Sequence, residues 1–417
     1  MKITVVGKGG REHALVETLA QSPSSPDVFC YPGSDAIFRT AGRVGDGVDD
    51  VDSLVEWMQS EGIDLCVGGE EAWLAKGLAD KARAVGIPTW GPVQASAQLE
   101  ASKEFAKEFM VKHAIPTGGY DAVNTRKEAV AAIGGKYPTV LKFDGLAAGK
   151  GVAVCPDEER VNAFLDEVFE VRRFGEGRLL VEEFLEGPEV SIIAAVCDGD
   201  FQLFVPARDY KRLEDGDRGP NTGGMGAVAS LQLIDADLRR TIEKEIVKPS
   251  VAGLVADGMD YRGFLYFGLM LTSTGPKMLE FNCRFGDPEA QAVLPLVGGD
   301  FAHFLSSGAR GEFDKSLIKF GGDWSVGFVL ASAGYPVTSR SGDRIAGLEA
   351  VSAARVFHAG TKASADGGFE THGGRVLAVV AKGETRESAR EKAMAEAAKI
   401  GFPGSQRRSD IGQLHFV

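Results

Sequence analysis

The chain has 417 residues, with 46 Lys plus Arg against 59 Asp plus Glu, for a formal net charge of −13. That length holds roughly two to four domains and a substantial core. The acidic balance, with no polybasic run, excludes general nucleic-acid or membrane-surface binding, which needs a basic footprint.

Glycine is the compositional outlier, at 54 residues or about 13%, where ~7% is usual, so many loops are expected to be built around a ligand. No apolar stretch approaches the ~18 residues that cross a bilayer, and the first seven residues are too short an apolar run for a signal peptide. The five cysteines (Cys30, Cys66, Cys155, Cys197, Cys283) are scattered and form no C-x-x-C pair. They are expected to be reduced thiols of a cytoplasmic protein. No H-E-x-x-H spacing occurs, so any metal must take oxygen ligands.

In chain order, residues 2–6 read as a short apolar strand, 11–21 as a helix, 28–31 and 63–67 as strands, and 71–85 as helical. This alternation is that of a parallel sheet. A helix is expected over 96–112, ended by Ile115-Pro116. From Tyr137 the texture changes to strands joined by glycine turns: 138–142, 152–155 and 179–183, with a helix near 157–173. Hairpins follow at 190–197/201–206 around Asp198-Gly199 and at 263–272/277–283. The last ~95 residues hold strands near 325–331, 355–358 and 376–380, then an amphipathic helix near 387–400. The expected fold class is α/β and α+β multidomain.

Three segments carry chemistry. Gly7-Lys8-Gly9-Gly10-Arg11-Glu12-His13 follows the first strand and opens a helix. It is not a dinucleotide fingerprint, because Glu12 stands where glycine or alanine is required and the second strand ends Tyr31-Pro32 without an acid for a ribose. A tight strand–helix turn and an anion site made of free N–H groups with Arg11 both remain open.

Lys142-Phe143-Asp144-Gly145-Leu146-Ala147-Ala148-Gly149-Lys150-Gly151-Val152 is not a Walker loop, since a strand rather than a helix follows it. Three close glycines between two strands suit a flap whose backbone N–H groups cover phosphates, with Lys142 and Lys150 supplying charge.

In Glu280-Phe281-Asn282-Cys283-Arg284, strand alternation puts Leu279 and Phe281 on one face and Glu280 and Asn282 on the other. Two oxygen donors on one face suit a hard cation such as Mg²⁺, and the planar fork of Arg284 suits phosphate or carboxylate. An ordinary Glu280–Arg284 pair on a polar sheet face is the competing reading.

Taken together, these segments resemble the ATP-grasp superfamily, and the whole chain resembles the phosphoribosylamine–glycine ligase family of purine biosynthesis. The likeness runs from Gly7…His13, through Lys142…Val152, Gly219-Pro220-Asn221-Thr222-Gly223-Gly224-Met225-Gly226, Glu280…Glu289 and Gly373-Gly374-Arg375-Val376-Leu377, to Arg408-Ser409-Asp410-Ile411-Gly412. It implies an N-terminal parallel-sheet domain over 1–101, an ATP-grasp domain over 102–322 with a lid at about 121–190, and a small C-terminal mixed domain over 323–417. It implies that glycine is joined to 5-phosphoribosylamine with ATP converted to ADP and phosphate, through a glycyl phosphate.

By the same resemblance, Lys103 and Lys142 would hold the ATP phosphates under the flap Gly145, Gly149, Lys150 and Gly151. The hinge Glu182-Glu183-Phe184-Leu185 would take the adenine and Glu189 the ribose. Glu280 and Asn282 would bind Mg²⁺ or Mn²⁺. Gly9, Gly10, Arg11 and Glu12 would face the phosphoribosylamine. Asp209, Lys211, Arg212, Asn221, Arg284 and Asp287 would surround the second substrate and the transferred phosphoryl, with Arg284, Lys142 and Asp209 as catalytic groups. The expected partners are these small molecules alone, with no nucleic acid or membrane, on a monomer or small homo-oligomer.

The chain departs from the family at three places. Pro32-Gly33-Ser34-Asp35-Ala36 replaces P-G-N-x-G, Gly69-Glu70-Glu71-Ala72-Trp73-Leu74 replaces G-P-E-x-P-L, and Arg208-Asp209-Tyr210-Lys211-Arg212 replaces Q-D-H-K-R. All three fall on the expected substrate side. They leave room for a paralogous ligase using another amine, or less readily a nucleotide-binding sensor.

Overall fold

The computed structural model describes residues 1–145 and 151–413. Its first sheet is parallel, in the order Gly42–Arg43, Asp27–Pro32, Lys2–Gly7, Leu65–Gly68, Thr89–Trp90. The first strand is apolar without alternation because both its faces are covered. Ile3 and Val5 pack with Ala14 and Leu15 of the helix Gly10–Ala20. Val6 packs on the other face with Leu54 and Met58 of the helix Val51–Glu61.

A second, antiparallel sheet runs Tyr120–Val123, Leu179–Glu183, Thr139–Phe143, Val152–Cys155. It is covered by the helices Arg126–Ile133 and Glu158–Leu165, whose Ala129, Ile133, Val161 and Phe164 share a core with Leu141 and Val181.

The central sheet is the largest and crosses most of the remaining chain. Its order is Gly275–Asn282, Arg262–Thr272, Glu189–Cys197, Ala207–Asp209, Gly226–Ala229, Trp324–Ala331, Arg375–Gly383, Arg355–His358, with Asp200–Leu203 also paired to Glu189–Cys197. The C-terminal strands thus extend the sheet that carries Glu280. No helix among the described residues is long and apolar enough to cross a membrane.

The helices Val51–Glu61, Arg126–Ile133 and Phe301–Ala309 were not among the expected elements, and three that were expected differ, each for a local reason. The helix expected over 71–85 is two pieces, Glu71–Leu74 and Leu78–Ala84, parted at Gly77, which is left-handed at φ +82°. The helix expected over 96–112 breaks at Ser102, whose extended backbone (φ −125°, ψ 120°) makes it a cap that accepts from Phe105 N. That break creates a new helix start at Lys103, where Asp144 accepts from the Lys103 and Glu104 amides at 2.6 and 3.2 Å. The third difference lies in the strand Gly275–Asn282. Gly268 pairs with Glu280 while Leu269 pairs with Met278, so Leu279 is bulged out of register. Met278 and Phe281 fill the core instead, and Leu279 does not share their face. Glu280 and Asn282, beyond the bulge, still fall on one side.

The first helix and the last strands meet at two histidines. His358 N donates to His13 Nδ1 at 2.9 Å, and His358 Nδ1 lies 3.0 Å from Thr361 Oγ1. Burial, with His13 and Arg39 adding positive charge nearby, pushes His358 down to about 3. A histidine kept neutral in the fold takes up its proton on unfolding. Its contribution is therefore complete above the unfolded value of ~6.5 and is lost as pH falls from there toward 3, at most about 1.4 kcal/mol per pH unit. Between pH 7 and pH 5 the unfolding free energy from denaturant titration should fall by ~2 kcal/mol more in the wild type than in His358→Gln. Equal losses in the two proteins would contradict a neutral buried His358.

Candidate active site

The three sheets bring their charged residues to one region, and the glycine-rich helix start shows how tightly it is built. Glu12, where a dinucleotide fingerprint would have glycine, folds back under the turn. Its Oε2 accepts from Gly9 N at 2.7 Å and its Oε1 from Arg11 Nε at 2.6 Å. A Cβ on Gly7 would lie 2.4 Å from Glu12 Cγ, and one on Gly69 2.8 Å from it. These two glycines are therefore room for a buried carboxylate. Arg11 is engaged on three sides: its guanidinium also donates to the Phe285 carbonyl at 3.1 Å and stands 3.6 Å from Glu71. Its amide leans on Asp287 at 3.4 Å.

Arg284 does not pair with Glu280. It holds Glu71 at 3.1 Å and Glu100 at 2.6 Å. Despite burial, Arg284 and then Arg11 bring Glu71 down to about 2. Burial instead pushes Glu100 up to about 7, against the pull of Arg284. Glu100 also accepts from Cys283 N at 2.7 Å. With its amide nitrogen turned toward Glu100, Asn282 donates to Glu100 Oε1 at 3.0 Å and to the Phe281 carbonyl at 3.3 Å. The amide oxygen is left to act as an acceptor on its other side.

A second charge cluster surrounds Glu182. Its Oε2 receives both Lys107 Nζ at 2.9 Å and Lys142 Nζ at 3.1 Å, while its Oε1 is buried with no partner. Lys142 also donates to the carbonyl of the bulged Leu279 at 3.1 Å. Lys103 Nζ reaches the Gly145 carbonyl at 2.8 Å, and burial lowers its affinity for the proton. Gly145 is left-handed at φ +143°, and the Gly151 carbonyl accepts from Phe143 N at 2.7 Å. Gly149 and Lys150 lie outside the described residues. In the hinge, Glu183 Oε2 accepts from Gly119 N at 3.1 Å, Phe184 is exposed and Leu185 is buried.

A third group faces these two. Lys211 holds Glu189 at 2.7 Å and, despite burial, is raised well above the ordinary lysine value by Glu189 and the acids around it. Asp209, buried near Glu289, is raised well above the ordinary carboxylate value, and its Oδ1 has no partner. Glu289 Oε1 accepts from Ser191 Oγ at 2.9 Å, which in turn lies 2.9 Å from Tyr266 OH. Asp287 stands 3.2 Å from Arg375 and accepts from Gln291 Nε2 at 2.9 Å.

Glu280 lies among these groups, and its situation is unlike theirs. Despite its enclosure, Lys211, Lys142, Lys103 and Arg284 hold it below the ordinary carboxylate value. No described residue makes a hydrogen bond or a close ion pair with it. A carboxylate kept ionised by its surroundings and bonded by none of them is suited to an added cation, with the Asn282 oxygen two residues on as a second donor. Arg212 and Asn221 stand apart from the cluster. The Arg212 guanidinium donates to the Gly219 carbonyl at 2.9 Å, and Asn221 is exposed.

Sequence reasoning missed Lys107, Glu100, Glu71 and Glu289. Only Lys107 left a signal: it stands four residues after Lys103 on the same helix face. The departures on the substrate side have structural partners. Asp35 bridges Arg43 at 3.2 Å and the amide of Ala363 at 2.9 Å, which, with that amide first, lowers its pKa. Trp73 packs edge-on to Tyr31. Tyr210 is buried, with Arg208 and Arg408 both at its ring.

Family models for phosphoribosylglycinamide synthetase match the chain in three parts: the N domain over residues 1–100, the ATP-grasp (A) domain over 101–290 and the C domain over 325–414. The chain is 42% identical to the phosphoribosylamine–glycine ligase of Caldanaerobacter subterraneus subsp. tengcongensis, over 99% of both chains. It is also 42% identical to that of Escherichia coli K12, over 99% of this chain and 98% of the other. The crystal structure of the same ligase from Thermotoga maritima superposes with a TM-score of 0.85 at 34% identity, covering 98% of this chain and all of that one. At 18% identity and a TM-score of 0.72, a biotin carboxylase domain from Hydrogenobacter thermophilus shares the fold over 97% of this chain and 91% of that one. The chain belongs to the phosphoribosylglycinamide synthetase family, and its fold is that of the ATP-grasp enzymes.

Proposed function

We propose that this protein joins glycine to 5-phosphoribosylamine, with ATP converted to ADP and phosphate, to give the phosphoribosyl glycinamide of purine biosynthesis. The observation that carries the reading is Glu280: an ionised carboxylate among four cations that no described residue bonds. Glu280 and the Asn282 oxygen would hold a divalent cation, Mg²⁺ or Mn²⁺, which when bound neutralises the phosphates and polarises the phosphoryl being transferred.

The chemistry asks for little else but positioning. A carboxylate is a poor electrophile because its leaving group would be oxide. Attack of a glycine carboxylate oxygen on the terminal phosphorus of ATP releases ADP and makes glycyl phosphate. The amine then attacks the acyl carbon, phosphate leaves, and the nitrogen gives up a proton. Lys103 and Lys142 would lie along the ATP phosphates, which adds charge to a position where Lys142 is already fixed by Glu182 and Leu279. The unpartnered Glu182 Oε1 fits a hydrogen-bond donor such as an adenine amine, beside the exposed Phe184. Lys211 and Arg284 would neutralise the charge that grows on the transferred phosphoryl and the leaving phosphate. Asp209, whose affinity for its proton is raised by burial and by Glu289 beside it, would face the substrate with its unpartnered Oδ1. The acids at the Gly9–Glu12 turn suit the hydroxyls and amine of phosphoribosylamine. A cytoplasmic enzyme, as a monomer or small homo-oligomer, completes the reading.

ADP release should require ATP, a divalent cation, glycine and phosphoribosylamine together, measured with each omitted in turn. Glycine-dependent release that another amine supports better would point to a paralogous ligase. Glu280→Gln should lower kcat on the order of 100-fold or more with an unchanged melting temperature, because Met278 and Phe281 carry the packing of that strand. Near-normal turnover would remove Glu280 from the cation site. Arg11→Ala should weaken use of phosphoribosylamine about tenfold, as loss of a charge-assisted contact does, with little change in the KM for ATP. An equal loss for both substrates would mean that Arg11 serves the fold through Glu12 and Glu71.

A further inference from the structure

One buried cation stands outside the cluster just described. Arg408, on the chain's last segment, is 2% exposed. Its fork holds Asp410 at 2.7 and 2.6 Å, and its third nitrogen donates to Asp217 Oδ1 at 2.7 Å and to the Arg212 carbonyl at 3.1 Å. The guanidinium also lies 5.0 Å from the centre of the Tyr210 ring. Its neighbours fasten the same hairpin: Ser409 N donates to Asp215 Oδ1 at 2.7 Å, and Gly216 N donates to Asp410 Oδ2 at 2.8 Å. Gly412 N donates to Tyr210 OH at 3.1 Å.

The hairpin Arg212–Glu214/Arg218–Asn221 needs such fastening. It forms an irregular two-stranded pair by itself, residues 216–221 are exposed, and it belongs to no apolar core. A two-stranded ribbon without a hydrophobic face is only marginally stable, so its conformation is set by this charge network. The stem matters more than the tip. Side chains alternate along an extended segment. Tyr210 therefore faces Arg408 and Gly412, while Asp209 and Lys211 on either side face Glu289 and Glu189.

We propose that Arg408 is a positioning residue for the ligation: by clamping Tyr210 and the Arg212–Asn221 hairpin, it fixes where Asp209 and Lys211 stand against the second substrate and the transferred phosphoryl. This rests on the roles given above to those two residues. A segment near residue 410 thereby governs groups near residue 210 without touching substrate.

The test uses Arg408→Ala, Arg408→Lys and the milder Asp217→Asn. Asp217 is at the exposed tip, in a left-handed conformation that asparagine also tolerates. In Arg408→Ala, kcat/KM for glycine should fall about tenfold or more while the KM for ATP stays within about twofold, and added guanidinium ion should restore part of the loss. Arg408→Lys should be intermediate, lacking the fork. Asp217→Asn should lose severalfold against glycine at an unchanged melting temperature. Equal losses for glycine and ATP, tracking a lowered melting temperature without rescue, would reduce Arg408 to a support of the fold. Amide hydrogen exchange over residues 209–225 reads the clamp independently of any substrate. It should quicken in Arg408→Ala, and unchanged exchange would overturn the proposal. Faster exchange in an enzyme whose wild type shows no glycine-dependent ADP release would instead sink the functional reading and leave the clamp standing.

Discussion

The structure depends on how a dense set of buried charges is compensated around one carboxylate. Removing an ion from water costs several kcal/mol even after relaxation, so cations crowd together only where acids answer them. Here Glu182 answers Lys107 and Lys142, Glu189 answers Lys211, and Glu71 and Glu100 answer Arg284. Glu280 alone is felt by four cations and bonded by none. The pairs hold the cations at fixed positions before any substrate arrives, which is what a phosphoryl-transfer site requires. Glu280 stays available because its neighbours are already satisfied.

Local irregularities in the backbone produce that arrangement. The bulge at Leu279 turns a carbonyl toward Lys142 and still leaves Glu280 and Asn282 on one side. The break at Ser102 starts a helix at Lys103, so that Asp144 caps it and the Lys103 ammonium reaches the glycine loop. At Glu12, a carboxylate in place of a glycine locks the first turn and Arg11 together. Each is a small departure from regular structure, and each fixes one charged group.

Part of the strand–helix order in the first 100 residues was legible because it rests on local apolar periodicity, as was the pairing of the hairpins, but the helix Val51–Glu61 and the short strands Gly42–Arg43 and Thr89–Trp90 were not. The glycine loop was visible only as a motif, and its residues 146–150 lie outside the described ones; the Glu280-x-Asn282 spacing showed two oxygen donors on one side but did not separate a cation site from a pair with Arg284. The bulge was not, since a register shift depends on the partner strand and leaves Leu279 an ordinary apolar residue in sequence. Glu100 and Glu71 were invisible for a different reason. They meet Arg284 across some 180 and 210 residues, and an isolated acid in a helical stretch carries no sign of a distant partner. The same distance hid Arg408, and it hid the sheet in which the C-terminal strands join those bearing the site. Asp35, one of the departures from the family pattern, accepts from the amide of Ala363, a partner too far along the chain to leave a local signal.

The central claim is that this charge arrangement activates a carboxylate by phosphorylating it. The direct measurement is isotope transfer in the complete reaction, with glycine labelled by ¹⁸O in both carboxylate oxygens. The account requires one labelled oxygen in the phosphate released per turnover, because the oxygen that attacks phosphorus leaves with it. Unlabelled phosphate, formed at the same rate as the amide product, would contradict it.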